Sequence, residues 1–362
     1  MKKYIVVVLI VLVGGALTIY PLFKDDTNIA LERPLPAIFE FQDNLAATIG
    51  EKTPLTIIVN EPVERLELMY YDSLLVKWDK VSKNQTVDFD PGIFGVGTRG
   101  ISLRSTLKNG KEKSDNRLVR VLSDVTPQKM TVKVINQYPH NPNSFTQGLE
   151  FYQDALYEGT GDPGNTGATL VAKIDIKTGN HLEKMGLSPG FFGEGITIID
   201  TVLYQLTYRQ GRCYTYGINS KLRLQDEFNY QGEGWGLCNN GDQLIMSNGT
   251  ERLTFRDPKT FTATKTIEVY NHEGPVSNIN ELEFIGGLVY ANIWTTDMII
   301  VIDPNTGKVL KEIDASSLGL IGRGSNGEVL NGIAYNKKSG KLYLTGKYWT
   351  NLFEVEVVPV NS

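Results

Sequence analysis

Apolar and polar positions alternate in short stretches between residues 29 and 123, at 55–59, 66–71, 101–105 and 118–122. A period of two places every second side chain on one face, as in a half-buried β-strand. Asn109-Gly110, between the last two stretches, is a strong hairpin signal, because a two-residue turn needs residues that accept positive φ. Strands of this length with turns between them predict a small Ig-like β-sandwich, bounded at residues 27–125. No chemistry shows in it, and residues 124–129 read as a linker.

Beyond the linker the pattern repeats, and the repeat is the strongest signal in the chain. Five segments align: Gln147-Gly148-Leu149, Glu194-Gly195-Ile196, Trp235-Gly236-Leu237, Asn280-Glu281-Leu282 and Asn331-Gly332-Ile333. Their middle residues are 47, 41, 45 and 51 apart. A second strand begins eight residues after the first four middles and ten after the fifth, and a third strand follows in each unit. A fourth strand follows in all but the last, which runs out near Val358. Four strands in a unit of roughly 45 residues is the signature of a propeller blade. The chain therefore reads as all-β, with a five-bladed β-propeller over residues 126–362 behind the sandwich. A spare strand at residues 131–135 can supply what the last unit lacks, closing the ring and removing an exposed edge. The Gly-His and Trp-Asp dipeptides of WD40 blades are absent.

One stretch fits neither pattern. Residues 4–23 form an apolar run behind Lys2 and Lys3, long enough for a bilayer core of about 30 Å. A signal peptide usually has a shorter apolar region and a small-x-small cleavage site, which Tyr20-Pro21-Leu22-Phe23 does not offer. Residues 1–26 read as an uncleaved transmembrane signal anchor, with a cleaved signal peptide as the alternative. Either reading exports the domains to the extracytoplasmic side, periplasmic or extracellular, and the anchor makes the membrane a partner. In such a compartment Cys213 and Cys238 can pair; two buried free thiols are the equal alternative.

Composition narrows the chemistry. A net charge of −5 with no run of like charges argues against a nucleic-acid partner, which needs a basic surface. Two cysteines and three scattered histidines cannot assemble the commoner zinc sites. Gly322-Arg-Gly-Ser-Asn-Gly327 fits G-x-G-x-x-G but precedes a strand, so it does not indicate a dinucleotide. In a propeller the first strand of each blade lines the axis. The aligned positions Gln147, Glu194, Trp235, Asn280 and Asn331 then face one another across the channel mouth. The ends of the second strands add Thr160, Tyr208, Asn248, Trp294 and Lys347. Taken singly, such residues often hold channel water or neighbouring blades. Matching positions with differing identities point instead to a small-ligand pocket.

In combination, several motifs resemble the plant and bacterial type of glutaminyl-peptide cyclotransferase. They are Phe145-Thr-Gln-Gly-Leu149, Phe192-Gly-Glu-Gly195, Leu203-Tyr-Gln205, Gly234-Trp-Gly-Leu237, Asn280-Glu-Leu-Glu283 with Ala291-Asn-Ile-Trp294, and Leu330-Asn-Gly-Ile333 with Thr345-Gly-Lys347 and Leu352-Phe-Glu354. The resemblance spans residues 131–358 and leaves the sandwich outside. It implies a five-bladed propeller that converts the N-terminal glutamine of peptides and proteins to pyroglutamate with release of ammonia, with no cofactor required. It makes Glu194 the acid/base residue and places Phe145, Gln147, Phe192, Trp235, Asn280, Trp294 and Lys347 in the substrate pocket. Tyr208 stands where the plant enzymes have Trp and keeps an aromatic wall.

The implied chemistry needs little equipment. The α-amine of the glutamine attacks its own γ-amide carbonyl, and one carboxyl group, Glu194, can carry the proton from amine to leaving group. Lys347, Asn280 or Gln147 can donate to the developing oxyanion. No activated water is involved, so the task that most often recruits zinc is missing. A structural calcium in the channel stays compatible with the hard oxygen ligands there. Two rival readings stand beside this one: a non-catalytic ligand- or protein-binding propeller, and a metal-dependent lactonase-like hydrolase.

Overall fold

The structure is a computed structural model and describes residues 34–360. Eight strands come first: β1 (Ala37–Phe39), β2 (Leu45–Thr48), β3 (Thr53–Val59), β4 (Val63–Tyr70), β5 (Ser73–Val81), β6 (Gln85–Phe89), β7 (Gly97–Thr106) and β8 (Glu112–Leu122). They form one sheet in the order β1-β3-β6 and another in the order β2-β8-β7-β4-β5, where β2 runs parallel to β8. The alternation in the sequence explains the packing. Ile101 and Leu103 of β7, Leu66 and Leu68 of β4, and Val119 and Val121 of β8 turn one face inward. They meet Leu55, Ile57 and Phe89 of the other sheet in one shared core.

β9 (Gln128–Pro139) leads away and begins inside the stretch read as a linker. Three antiparallel quartets follow. The first is β10 (Thr146–Tyr152), β11 (Ala155–Thr160), β12 (Leu170–Asp175) and β13 (Asn180–Gly186). The second is β14 (Gly193–Ile199), β15 (Val202–Thr207), β16 (Arg212–Gly217) and β17 (Arg223–Asn229). The third is β18 (Leu237–Asn239), β19 (Leu244–Ser247), β20 (Arg252–Arg256) and β21 (Ala263–Glu268). Then come β22 (Ile279–Ile285), β23 (Leu288–Ile293), β24 (Met298–Ile302), β25 (Val309–Asp314), the short helix α1 (Ser316–Gly322), β26 (Leu330–Asn336), β27 (Lys341–Gly346) and β28 (Asn351–Pro359). These strands and β9 make one sheet in the order β22-β23-β24-β25-β9-β28-β27-β26. β9 pairs antiparallel with β28, the outer place that the repeat left vacant. It also pairs parallel with β25, residues 128–131 against 311–314, a link the pattern did not predict.

Burial falls from the first strand of a quartet to the last. β10 and β14 are buried along nearly their whole length, whereas β13 and β17 are largely exposed. The first strands touch in cyclic order, β10 to β14, β18, β22, β26 and back to β10. A ring of first strands with sheets radiating from it is a β-propeller. The N-terminal sheets rest against it through Arg99 with Glu268, Thr98 Oγ1 with Tyr270 Oη at 2.9 Å, and Lys308 Nζ with Asp124 at 2.6 Å.

One expectation changes, and one open alternative is decided. The anchored, exported location is corrected: among the described residues no helix is long and apolar enough to cross a membrane. The apolar run at 4–23 and the 1–26 segment lie outside the described residues. Cys213 and Cys238 stand as separate buried thiols.

Candidate active site

Four of the first strands begin with the same irregularity. Pairing slips between Thr146 and Gly148 in β10, Gly193 and Ile196 in β14, Ile279 and Leu282 in β22, and Leu330 and Ile333 in β26. Gln147, Glu194, Asn280 and Asn331 sit inside these slips. A bulge bends its strand and re-aims the side chain it carries, so positions aligned in sequence converge in space. The neighbouring glycines answer to crowding. A Cβ on Gly195 would stand 2.5 Å from Leu237 N, and one on Gly236 would stand 2.0 Å from Asn280 O. The fourth unit has Glu281 in that place. Its carboxylate accepts the Leu149 N–H at 3.2 Å and the Ile333 N–H at 2.9 Å.

The converging ends surround a cavity of about 350 Å³. Phe145, Gln147, Phe192 and Glu194 line one part of it, and Tyr208, Trp235, Asn280, Trp294 and Lys347 line the rest. Nine of the twelve residues singled out from the sequence thus border one space. Thr160, Asn248 and Asn331 do not line it. Thr160 Oγ1 donates to Ala168 O at 3.2 Å, Asn248 Oδ1 accepts from Thr250, and Asn331 Nδ2 donates to Thr146 O at 3.0 Å. Pro163 and Glu328 also line the cavity, and sequence reasoning missed both. Glu328 lies outside the repeated frame, and its place three residues before Asn331 was the only signal.

Five rings form a continuous wall. Successive centroids from Phe145 through Phe192, Tyr208 and Trp235 to Trp294 are 5.9, 5.9, 6.4 and 5.5 Å apart. The wall is braced at the rim. Arg209 lies over the Tyr208 ring at 4.6 Å, and its Nη2 donates to Tyr208 Oη at 3.0 Å. Arg209 Nε donates to Glu233 at 2.9 Å, and Trp235 Nε1 donates to the other Glu233 oxygen at 3.0 Å. Behind Phe145 and Gln147, the buried Glu158 accepts from Ser144 Oγ at 3.0 Å and Thr146 Oγ1 at 2.7 Å, and faces His140 Nε2 at 3.0 Å. Burial pulls the His140 pKa down, but Glu158 and the Trp349 carbonyl together hold it above its ordinary value.

The charged groups of the cavity are unlike those of the brace. Glu194 is 4% exposed, and burial pushes its carboxyl well above the ordinary range, with Lys347 pulling the other way. Burial lowers the Lys347 ammonium, partly offset by Glu194 and Glu328. Lys347 Nζ lies 4.6 Å from the Phe145 centroid. Among the described residues no side chain forms a hydrogen bond or ion pair with either group; both turn to the cavity. Asn280 Oδ1 is likewise buried without a partner. Such an arrangement can hold a polar, uncharged group against an aromatic wall, donate to an oxygen from Lys347, and move a proton at Glu194. Among the described residues no group of three or more His, Cys, Asp and Glu stands close enough to hold a metal ion. A second cavity, of about 710 Å³, lies at the seam with the N-terminal sheets, where Arg99 and Lys308 are already paired with carboxylates.

Fold and site together define a β-propeller with an aromatic pocket that gathers a buried carboxyl and a buried ammonium beside the bulged starts of its first strands. Sequence comparison then gives the family: the glutamine cyclotransferase description matches residues 105–357, and the chain belongs to that family. The match begins within β7, so it takes in the end of the N-terminal sheets as well as the repeats. The glutaminyl-peptide cyclotransferase of Arabidopsis thaliana is 36% identical over 241 residues, covering 65% of this chain and 73% of that protein. The crystal structure of Myxococcus xanthus glutaminyl cyclase shares 36% identity at a TM-score of 0.61, covering 65% of this chain and all of that one.

Proposed function

We propose that this chain is a glutaminyl-peptide cyclotransferase that converts the N-terminal glutamine of peptides and proteins to pyroglutamate and releases ammonia. One observation carries the reading: a buried carboxyl on a bulged first strand and a buried ammonium, neither with a hydrogen-bond or ion-pair partner among the described residues, face one aromatic cavity. The aromatic wall folds the glutamine side chain back toward its own amine. The neutral α-amine forms a bond to the γ-carbonyl carbon, and Lys347 and Asn280 position and stabilise the oxygen that becomes negative. Glu194 starts neutral, as its burial favours, and gives its proton to the departing NH₂. The carbon–nitrogen bond of the amide breaks, ammonia leaves, and the surplus proton on the new ring nitrogen returns to Glu194. Phe145, Gln147, Phe192, Tyr208, Trp235 and Trp294 bind the substrate. The sequence of steps uses no metal and no cofactor.

The same proposal covers the finer architecture. The cyclic contacts of β10, β14, β18, β22 and β26 support five blades over residues 126–362. The parallel β2–β8 pair and the facing sheets support an Ig-like sandwich at residues 27–125. The test of function is mass spectrometry of a Gln-initiated peptide incubated with the protein. Loss of ammonia from that peptide, and not from one beginning with Asn, is the expected result; unchanged mass overturns the reading.

A further inference from the structure

Glu328 borders the cavity beside Lys347 and is exposed to water. Its backbone is fixed: its N–H donates to Lys347 O at 2.8 Å, and its carbonyl accepts from Trp349 Nε1 at 2.9 Å. Its carboxylate has no hydrogen-bond or ion-pair partner among the described residues. The other carboxylate of the rim, Glu233, is occupied by Arg209 and by Trp235 Nε1. Arg209 and Glu233 thereby cancel each other's charge at 2.9 Å. Lys347, the cation that lines the cavity with Glu328, is 4% exposed and feels Glu194 as well. The rim therefore presents an exposed carboxylate, free of hydrogen-bond and ion-pair partners among the described residues, to whatever leaves the cavity toward solvent. A bound peptide whose glutamine fills the cavity must pass its second residue through that rim.

Resting on the cyclotransferase reading, we infer that Glu328 selects the second residue of the substrate, favouring a Lys or Arg side chain over an Asp or Glu side chain there. An ammonium or guanidinium at that position pairs with the Glu328 carboxylate, and a carboxylate is repelled. The pair forms in water, so its effect is modest and falls with added salt.

The experiment compares kcat/KM for three peptides that differ only at position two: Gln-Lys, Gln-Ala and Gln-Glu. The unaltered protein is expected to prefer Gln-Lys to Gln-Glu by about 2- to 5-fold at low salt, mostly through KM, and to lose most of that ratio at high salt. In Glu328→Gln the ratio falls to about one, and in Glu328→Lys it inverts. A ratio near one in the unaltered protein, or a ratio that Glu328→Gln leaves unchanged, overturns the assignment of Glu328 while the cyclotransferase reading stands. Failure of all three peptides to cyclise overturns both. The salt dependence needs no variant, so a poorly folded Glu328 variant does not shield the inference.

Discussion

Glu194 and Glu281 occupy neighbouring positions of the same repeated bulge on two first strands, and both are hidden from water. Their surroundings differ. Glu281 takes two backbone N–H groups from other first strands. Near it, Glu150 accepts from Thr197 Oγ1 at 2.7 Å and Glu283 accepts from Tyr335 N at 3.0 Å. Glu194 has an open cavity in place of such partners. Burial pushes all four carboxyls upward, so a raised pKa does not separate them. Hydrogen bonding does. A buried polar group is costly unless it is paired, so a fold that leaves one unpaired beside a cavity holds it ready for a ligand. On this criterion Glu194 fits the proposed chemistry, and Glu150, Glu281 and Glu283 fit a role in holding the ring.

Exchange of Glu194 for Gln gives the largest expected effect. The amide has the shape of the acid and carries no transferable proton, so turnover of a Gln-peptide falls by about 10²-fold or more. Circular dichroism and melting temperature stay close to the parent's, since no protein group loses a hydrogen bond. Turnover within a few-fold of the parent would break the comparison at its upper end.

Lys347→Met comes next. It removes the ammonium that lies over the Phe145 ring while keeping a long apolar stem. Loss of one oxyanion donor typically lowers turnover by about 10²–10³-fold, and the loss here should be in kcat more than in KM. A change confined to KM would make Lys347 a binding group only.

Glu281→Ala probes the other side of the comparison. It strands the N–H groups of Leu149 and Ile333 in the ring, at about 1–3 kcal/mol for each unsatisfied donor. A clear drop in melting temperature is expected, with turnover well below the melt staying within a few-fold. Lost turnover at an unchanged melting temperature would move Glu281 into the chemistry.

The contrast between these carboxyls was only half legible in the sequence. The repeat was readable because x-Gly-Leu recurs at a spacing that strands impose, and Glu194 stood out as the carboxylate at its aligned position. Glu281 looked like a departure from the glycine pattern. Its role depends on N–H groups supplied by β10 and β26, which lie far away in the chain. Glu328 was unreadable for a related reason: it follows α1 in a connection with no counterpart in the other units. The parallel pairing of β9 with β25 left no periodic trace, because it uses only four residues, two of them in the stretch that reads as a linker. The apolar run near the start has the opposite lesson. Hydropathy alone carried the anchored location, and no helix among the described residues supports it.

The smallest expected effect concerns pH and the paired carboxyls. Burial pushes Glu150 from its ordinary 4.5 up to about 7, against the Thr197 hydroxyl, Lys337 and the Ile198 N–H. Glu283 is raised by burial and by the charges of Glu150 and Glu281, with Tyr335 N–H and Lys337 opposing. Between those two values the folded chain holds a proton at Glu150 that the unfolded chain has released. The associated stability is fully present below about pH 4.5 and is lost as pH rises to about 7, where both states become ionised and the loss levels off. Glu150→Gln still accepts from the Thr197 hydroxyl and never ionises. Its melting temperature should therefore gain on the parent's between about pH 4.5 and 7 and then run parallel to it, while turnover at neutral pH changes little. Taking the difference between the two proteins cancels the titration of remote groups such as the His140–Glu158 pair. A difference that shrinks as pH rises would mean that Glu150 is ionised in the fold, so that a hydrogen-bonded first-strand carboxyl stands charged and is not the neutral ring group the comparison makes it.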